Sequence, residues 1–220
     1  MTSSNTPATA QTDAAASTAA SGHGSHAARS RVTQQHILDS AVRVLIESGY
    51  SGASTLTIQQ RAGVSRGRLL HQFPHRDALL VAAVQHIAEA RVADTRGLTD
   101  WPAAPRLRVE AAVDAMWSTY HQGYFWAATE LWLAARHNRH LADALAPKEH
   151  ALGSAIRAAI DEMFGPGLTA HPHYPALREL LNTSMRGVAL TYSFDPRDHL
   201  EEAALTTWKA LAARELGLID

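Results

Sequence analysis

Apolar residues recur along this chain at the three- and four-residue intervals of helices that bury one face. Over residues 33–48 they fall at Ile37, Leu38, Ala41, Val42, Leu45 and Ile46, with Thr33 placed to cap the start and Gly49 to stop the end. A short helix follows Ser54 or Thr55 and runs to Ala62, where Gly63 supplies a tight turn. Ser65 caps a third helix, which ends near Phe73 and Pro74. From Arg76 a longer pattern of Leu79, Leu80, Ala83, Val84, Ile87 and Val92 continues to about residue 96, and Gly97 breaks it. Further helices are predicted over 105–121 with Pro105 in the first turn, 123–137, 138–164 with an interruption at Pro147, 175–193 and 196–217. Runs of β-branched residues are scarce, so the predicted fold is all-α, with nine or ten helices and no convincing strand.

Residues 1–28 stand outside this pattern. They are mostly Ala, Ser, Thr and Gly with almost no charge, a composition that cannot offset the entropy of ordering, and a disordered tail is expected. Charge divides the remainder. Residues 29–80 hold seven Arg (29, 31, 43, 61, 66, 68, 76) against Asp39, Glu47 and Asp77, a net of +4. Residues 81–220 hold 13 Lys and Arg against 17 Asp and Glu, a net of −4. A basic small segment on an acidic larger one points to phosphate contacts at one end only. The chain has no cysteine, which excludes disulfides and thiolate metal sites. It shows neither a signal-peptide core nor an apolar run long enough to span a bilayer, so a cytoplasmic protein without membrane contact is expected.

The basic segment carries the most specific chemistry. Its third helix has a thin apolar seam, Leu69 and Phe73, beneath Arg66, Arg68 and His71. In a helix-turn-helix the first helix braces across the DNA backbone while the second lays its N-terminal residues against base edges. That needs apolar residues where the two helices touch, here Ile58, Ala62, Val64 and Leu69, and a free turn residue, here Gly63. Arg66 and Arg68 can read guanine in a bidentate manner, contact phosphate or remain solvated. Arg29 and Arg31 are either a solubilising flank or a basic arm that reaches the backbone or minor groove.

The block over 33–80 combines an apolar first helix, Gly49-Tyr50, then Ile58, Ala62-Gly63-Val64-Ser65, Gly67, Leu69, Phe73, Arg76 and Leu79. In this it resembles the N-terminal domain of tetracycline-repressor (TetR) family regulators. The resemblance implies a homodimeric repressor whose N-terminal domains, residues 29–80, bind a palindromic double-stranded operator. Residues 81–220 would bind a small-molecule effector and pair the subunits. By motif position, Ser65, Arg66, Gly67, Arg68, Leu70, His71 and Gln72 would face the DNA, Thr55 and Thr57 would lie near phosphate, and Arg76 would clamp the backbone. Two departures stand out. The family's Leu-Tyr-x-His-Phe run is Leu69-Leu70-His71-Gln72-Phe73 here, so the phosphate-holding Tyr hydroxyl is absent, and Gln59 stands where a small Ala is usual.

In the larger segment, Trp117, Tyr120, Tyr124, Phe125, Trp126 and Trp132 crowd into one stretch. Rings at helical spacing form either core or a pocket with polar tips such as His121 and Glu130. The family resemblance places the effector pocket on these middle helices and implies an apolar or aromatic effector bound by Trp117, Tyr120, His121, Tyr124, Trp126, Glu130 and Trp132. The last two helices carry Met185, Val188, Ala189 and Tyr192, then Leu205, Trp208 and Leu211. These are candidates for core or for a dimer seam, and the family pairs its subunits there. Thirteen His invite a metal, yet no HExxH pattern and no Glu-x-x-His pair occurs, so no metal and no cofactor are expected. No nucleophile elbow, phosphate loop or GxGxxG appears either, and an enzyme is not the expectation. The competing reading is a helical small-molecule-binding protein or enzyme whose N-terminal hairpin is only structural; such a protein has no need of seven Arg in residues 29–80.

Overall fold

A computed structural model describes residues 13–97 and 100–218, with side chains from residue 28 on. Among them are α1 (Asp13–Gly52), α2 (Thr55–Ala62), α3 (Arg66–Gln72), α4 (Arg76–Arg96) and α5 (Pro105–Thr119). They are followed by α6 (Gly123–Ala135), α7 (Arg139–Phe164), α8 (Pro166–Thr169), α9 (Tyr174–Thr191), a 3-10 turn (His199–Glu201) and α10 (Ala203–Glu215). No strand occurs among the described residues, as the apolar spacing predicts.

Local chemistry sets the ends of the short helices. Ser54 Oγ accepts from Thr57 N–H at 3.0 Å and Ser65 Oγ accepts from Arg68 N–H at 3.3 Å, each satisfying an otherwise orphaned first-turn donor. Gly63 closes α2 in the left-handed region, φ 59° and ψ 28°, where a side chain would be strained. In α1 the helix breaks at Gly49, φ 64° and ψ 179°, and the chain resumes helically for its last residues.

Several expected boundaries move. α1 begins at Asp13, within the segment expected to be tail, whose Ala content favours helix; residues 1–12 lie outside the described residues. Thr33 is therefore no cap: it sits inside α1, and its hydroxyl donates to Arg29 O at 2.9 Å. Pro147 does not interrupt α7, because it is exposed while Leu141, Leu145 and Leu152 bury the helix on both sides of it. The last helix starts at Ala203 rather than near 196, where Glu202 accepts from Ala204 N–H at 3.2 Å. The stretch before it is held in a loop by Arg197, which binds Glu202 at 2.9 Å and lies over the Tyr192 ring.

Two apolar clusters organise the molecule. The first joins Ile37, Leu45, Ile58, Leu69 and Leu80 of α1–α4 to Leu131 of α6 and Leu145 of α7. The second gathers Val113 and Trp117 of α5, Phe164 of α7, Leu181 of α9 and Trp208 of α10. Trp132 packs against both. The boundary expected at residue 80 thus falls inside α4, whose Val81, Ala83 and Val84 continue the first cluster. No described helix is long and apolar enough to cross a membrane.

Candidate DNA-reading head and effector cavity

α3 is anchored from one side only. Leu69 and Phe73 are buried with Ile58 and Ala62 of α2, while Arg66, Gly67, Arg68 and His71 are exposed and Leu70 is 37% exposed. Among the described residues no acidic side chain pairs with Arg66 or Arg68, whereas Arg61 on α2 is tied to Glu47 of α1. Thr55 and Thr57 are half-buried, with Thr57 Oγ1 hydrogen-bonded to Ser54 Oγ at 2.8 Å. Ser65 is exposed and spent on its cap. Gln72 is half-buried, its Oε1 enclosed without a partner. Arg29 and Arg31 are exposed on the helical part of α1, not on a separate arm.

Arg76 departs from its expected role as a clamp on DNA. Its Nε donates to Ala53 O at 2.8 Å and Nη2 donates to Tyr50 O. Its guanidinium lies 4.1 Å from the Tyr50 ring centroid and 3.7 Å from Asp77. Nε and Nη2 thus fasten the α1–α2 junction onto α4, while the side chain stays partly exposed.

The same junction carries a polar link to the larger segment that sequence reasoning missed. Tyr50 N–H, freed by the break at Gly49, donates to Glu130 Oε2 on α6 at 2.8 Å. The Tyr50 hydroxyl donates to Asp77 Oδ1 at 2.8 Å. Asn138 Nδ2 donates to both the Tyr50 hydroxyl (3.0 Å) and Asp77 Oδ2 (2.9 Å), while its Oδ1 caps α7 at Leu141. Glu130 is therefore engaged at the joint between segments and is not among the residues that line the cavity described next.

A cavity of about 460 Å³ opens between α4, α5, α6, α7 and α9, within the size range of small-molecule sites. Of the seven residues expected there, Tyr120, Tyr124 and Trp132 line it. Burial raises both tyrosine hydroxyls, Tyr120 to about 12. Trp117 instead sits in the second core, 2% exposed, with its indole N–H donating to His199 O at 2.8 Å. Trp126 packs edge-on to Phe125 away from the cavity. Residues not among those expected to bind the effector complete the wall: Met116, Phe125, Leu152, Ile160, and the charged Arg91, Glu149, Arg157, Glu179 and Arg186. They come from five helices, and no local spacing joins them all.

His121 stacks on His199 with centroids 4.3 Å apart and meets Trp117 and Tyr192 edge-on. Burial, then the facing His199, lower its pKa to about 4 from an ordinary 6.5. It is neutral in the folded protein, whereas the unfolded chain takes up a proton near 6.5. Thermal stability is thus expected to fall as pH drops from 6.5 towards 4. His121→Phe should flatten that part of the profile; an unchanged slope in the variant would assign the loss to other groups.

The expected dimer residues also turn inward. Met185, Ala189 and Trp208 are buried in the second core, and Val188, Tyr192, Leu205 and Leu211 pack half-buried against it. The outer faces of the same helices carry Leu180 (51% exposed), Gly187 and Leu190 on α9, and Ala203, Thr207 and Ala210 on α10. Among the described residues no group of three or more His, Cys, Asp or Glu is placed to hold a metal ion.

Residues 37–83 match the family model of bacterial regulatory proteins of the tetR family. The HTH-type transcriptional regulator BetI of Proteus mirabilis is 34% identical over 107 residues, covering 47% of this chain and 52% of that protein. BetI of Paraburkholderia phymatum is 34% identical over 85 residues, covering 38% and 43%. The chain thus spans about half the length of the curated relatives it matches. In fold, the chain is similar to Salmonella enterica GusR (TM-score 0.60, 21% identity, 84% of this chain and 95% of that one). It is equally similar to the transcriptional regulator FadR of Bacillus subtilis, solved with stearoyl-CoA (TM-score 0.60, 14% identity, 84% and 98%).

Proposed function

We propose that this protein, whose N-terminal domain belongs to the tetR family of bacterial regulatory proteins, is a cytoplasmic, ligand-responsive regulator of transcription. In this reading a homodimer binds a palindromic operator through α2 and α3. It leaves the DNA when a small apolar or aromatic effector fills the cavity beside α4. The observation that carries the reading is the outer face of α3, where Arg66, Arg68 and His71 stand exposed above a buried Leu69. The cavity in the larger segment supports the effector, and the fold is one in which FadR is seen with stearoyl-CoA.

Repression follows from differential affinity. Two heads must meet half-sites about 34–36 Å apart, and a ligand that favours a conformer with another spacing releases the operator. The outer faces of α9 and α10, with Leu180, Gly187, Leu190 and Ala210, supply the surface for pairing, since the more apolar faces are used inside each subunit.

The test is a titration of the full chain against the DNA flanking its own gene, at several salt concentrations. A strong preference for one segment over competitor DNA is expected, with affinity falling steeply as salt rises. Equal affinity for competitor DNA overturns the reading and returns the hairpin to a structural role.

A further inference from the structure

The cavity has one polar group that its own walls answer only in part. Glu149 of α7 lines it half-buried, and Glu149 Oε1 is closed off from solvent without a hydrogen-bond partner. Burial raises the Glu149 pKa, while a hydrogen bond from the Trp132 side chain to the carboxylate and the charge of Arg186 pull it back down, which leaves Oε1 as the oxygen without a close partner. Arg186 lies over the Trp132 ring, 5.3 Å from its centroid.

Several other polar wall groups have partners. Arg91 faces Asp94 at 3.8 Å, Arg157 donates to Ser154 at 2.9 Å, and Glu179 meets Arg178 at 3.5 Å; Arg91, Arg157 and Glu179 are all exposed. The Tyr120 hydroxyl donates to Asn182 O at 2.9 Å. What remains is largely apolar and aromatic: Met116, Phe125, Leu152, Ile156 and Ile160, with the rings of Tyr124 and Trp132. A buried acceptor without a donor costs free energy in the empty site, and an occupant that supplies the donor removes that cost.

We propose that the molecule filling this cavity is aromatic and presents an N–H or O–H donor to Glu149 Oε1. This rests on the reading of the cavity as the effector site. The rings accept a flat apolar body, and the acceptor fixes its orientation. A body without a donor leaves Glu149 Oε1 unpaired, and one that aims a carboxylate at that oxygen sets like charges against each other.

Four matched probes test this on the full chain without DNA, by titration calorimetry: para-phenylbenzyl alcohol, para-phenylbenzylamine, para-phenylbenzyl methyl ether and para-phenylbenzoate. The alcohol and the amine should bind about tenfold or more tightly than the ether, the scale of one buried polar group left unpaired. Glu149→Leu should erase that difference. Glu149→Gln, which keeps an acceptor oxygen without charge, should preserve the alcohol's advantage and reduce the amine's, which separates a neutral donor from a cation. An ether that binds as well as the alcohol, or a benzoate that binds best, overturns the proposal in the unmodified protein, whether or not the Leu variant folds. Full selectivity in folded Glu149→Leu overturns it as well.

Adding the tightest probe to the operator complex keeps the two readings apart. Donor-selective binding that leaves the complex intact upholds the ligand class and overturns the effector role. Absence of binding by every probe overturns the ligand class, while sequence-selective DNA binding still stands.

Discussion

Arg68→Ala is expected to weaken operator binding by about 1–3 kcal/mol, the discrimination one bidentate guanine contact supplies, and to change binding to random DNA far less. The argument starts at the helix terminus. Ser65 holds the Arg68 backbone N–H, Leu69 pins the adjacent position in the core, and the guanidinium projects from an exposed site with no acidic partner among the described residues. A phosphate role would give a different result: equal loss on both DNAs, and a salt dependence shallower by about one counterion. Gly67 provides the companion experiment. No atom lies within 4 Å of where its Cβ would stand, so Gly67→Ala meets no clash and should raise helix stability, by up to about 1 kcal/mol. If α3 lies against the groove, the same methyl obstructs the close approach of backbone to DNA, and operator affinity drops while the melting temperature holds or rises. An affinity unchanged by both substitutions would place the interface away from the outer face of α3.

The reading head was legible because its determinants are local. Ser54, Gly63 and Ser65 act within three residues of themselves, and Ile58, Leu69 and Phe73 declare their buried face by spacing alone. Arg76 shows where that ends. Its motif position suggested a contact with the DNA backbone, but its partners, Ala53 and Tyr50, lie on the far side of a packed junction more than twenty residues away. The aromatic stretch was legible only as core or pocket, and for another reason. α5 and α6 are apolar on more than one face, so periodicity cannot say that Tyr120 and Trp132 turn to the cavity while Trp117 turns to the second core. For the residues expected at a dimer seam, spacing left core and seam open, and the most apolar stripe of each terminal helix packs on its own subunit's core. Met185 and Trp208 are buried there, and the small residues opposite read as ordinary surface. Glu149 offered no local cue, since its significance comes from burial against helices far away in sequence.

Glu130→Ala is expected to destabilise the fold by about 1–3 kcal/mol, because the Tyr50 N–H that the break at Gly49 turns out of its helix would lose its only charged acceptor. Glu130→Gln retains an acceptor oxygen and should recover most of that stability, as read by chemical denaturation. Gly49→Ala attacks the same link from the other side: φ is +64°, and a Cβ would stand 3.0 Å from Glu130 Oε2. The consequence reaches beyond stability. Glu130 shares α6 with Tyr124 and Trp132 of the cavity wall, and Asn138, which holds Tyr50 and Asp77, caps the helix that carries Glu149. An occupant that displaces α6 or α7 therefore pulls directly on the peptide between α1 and α2, and hence on the orientation of α3. Tyr50→Phe removes the hydroxyl that joins Asp77 and Asn138 but leaves the Glu130 bond in place. It should keep operator affinity and reduce the ratio of operator affinities measured without and with a cavity ligand, which is the coupling itself. Were Glu130→Ala instead to unfold like the unmodified protein and lose only ligand binding, Glu130 would return to the cavity and the joint would have to be sought elsewhere.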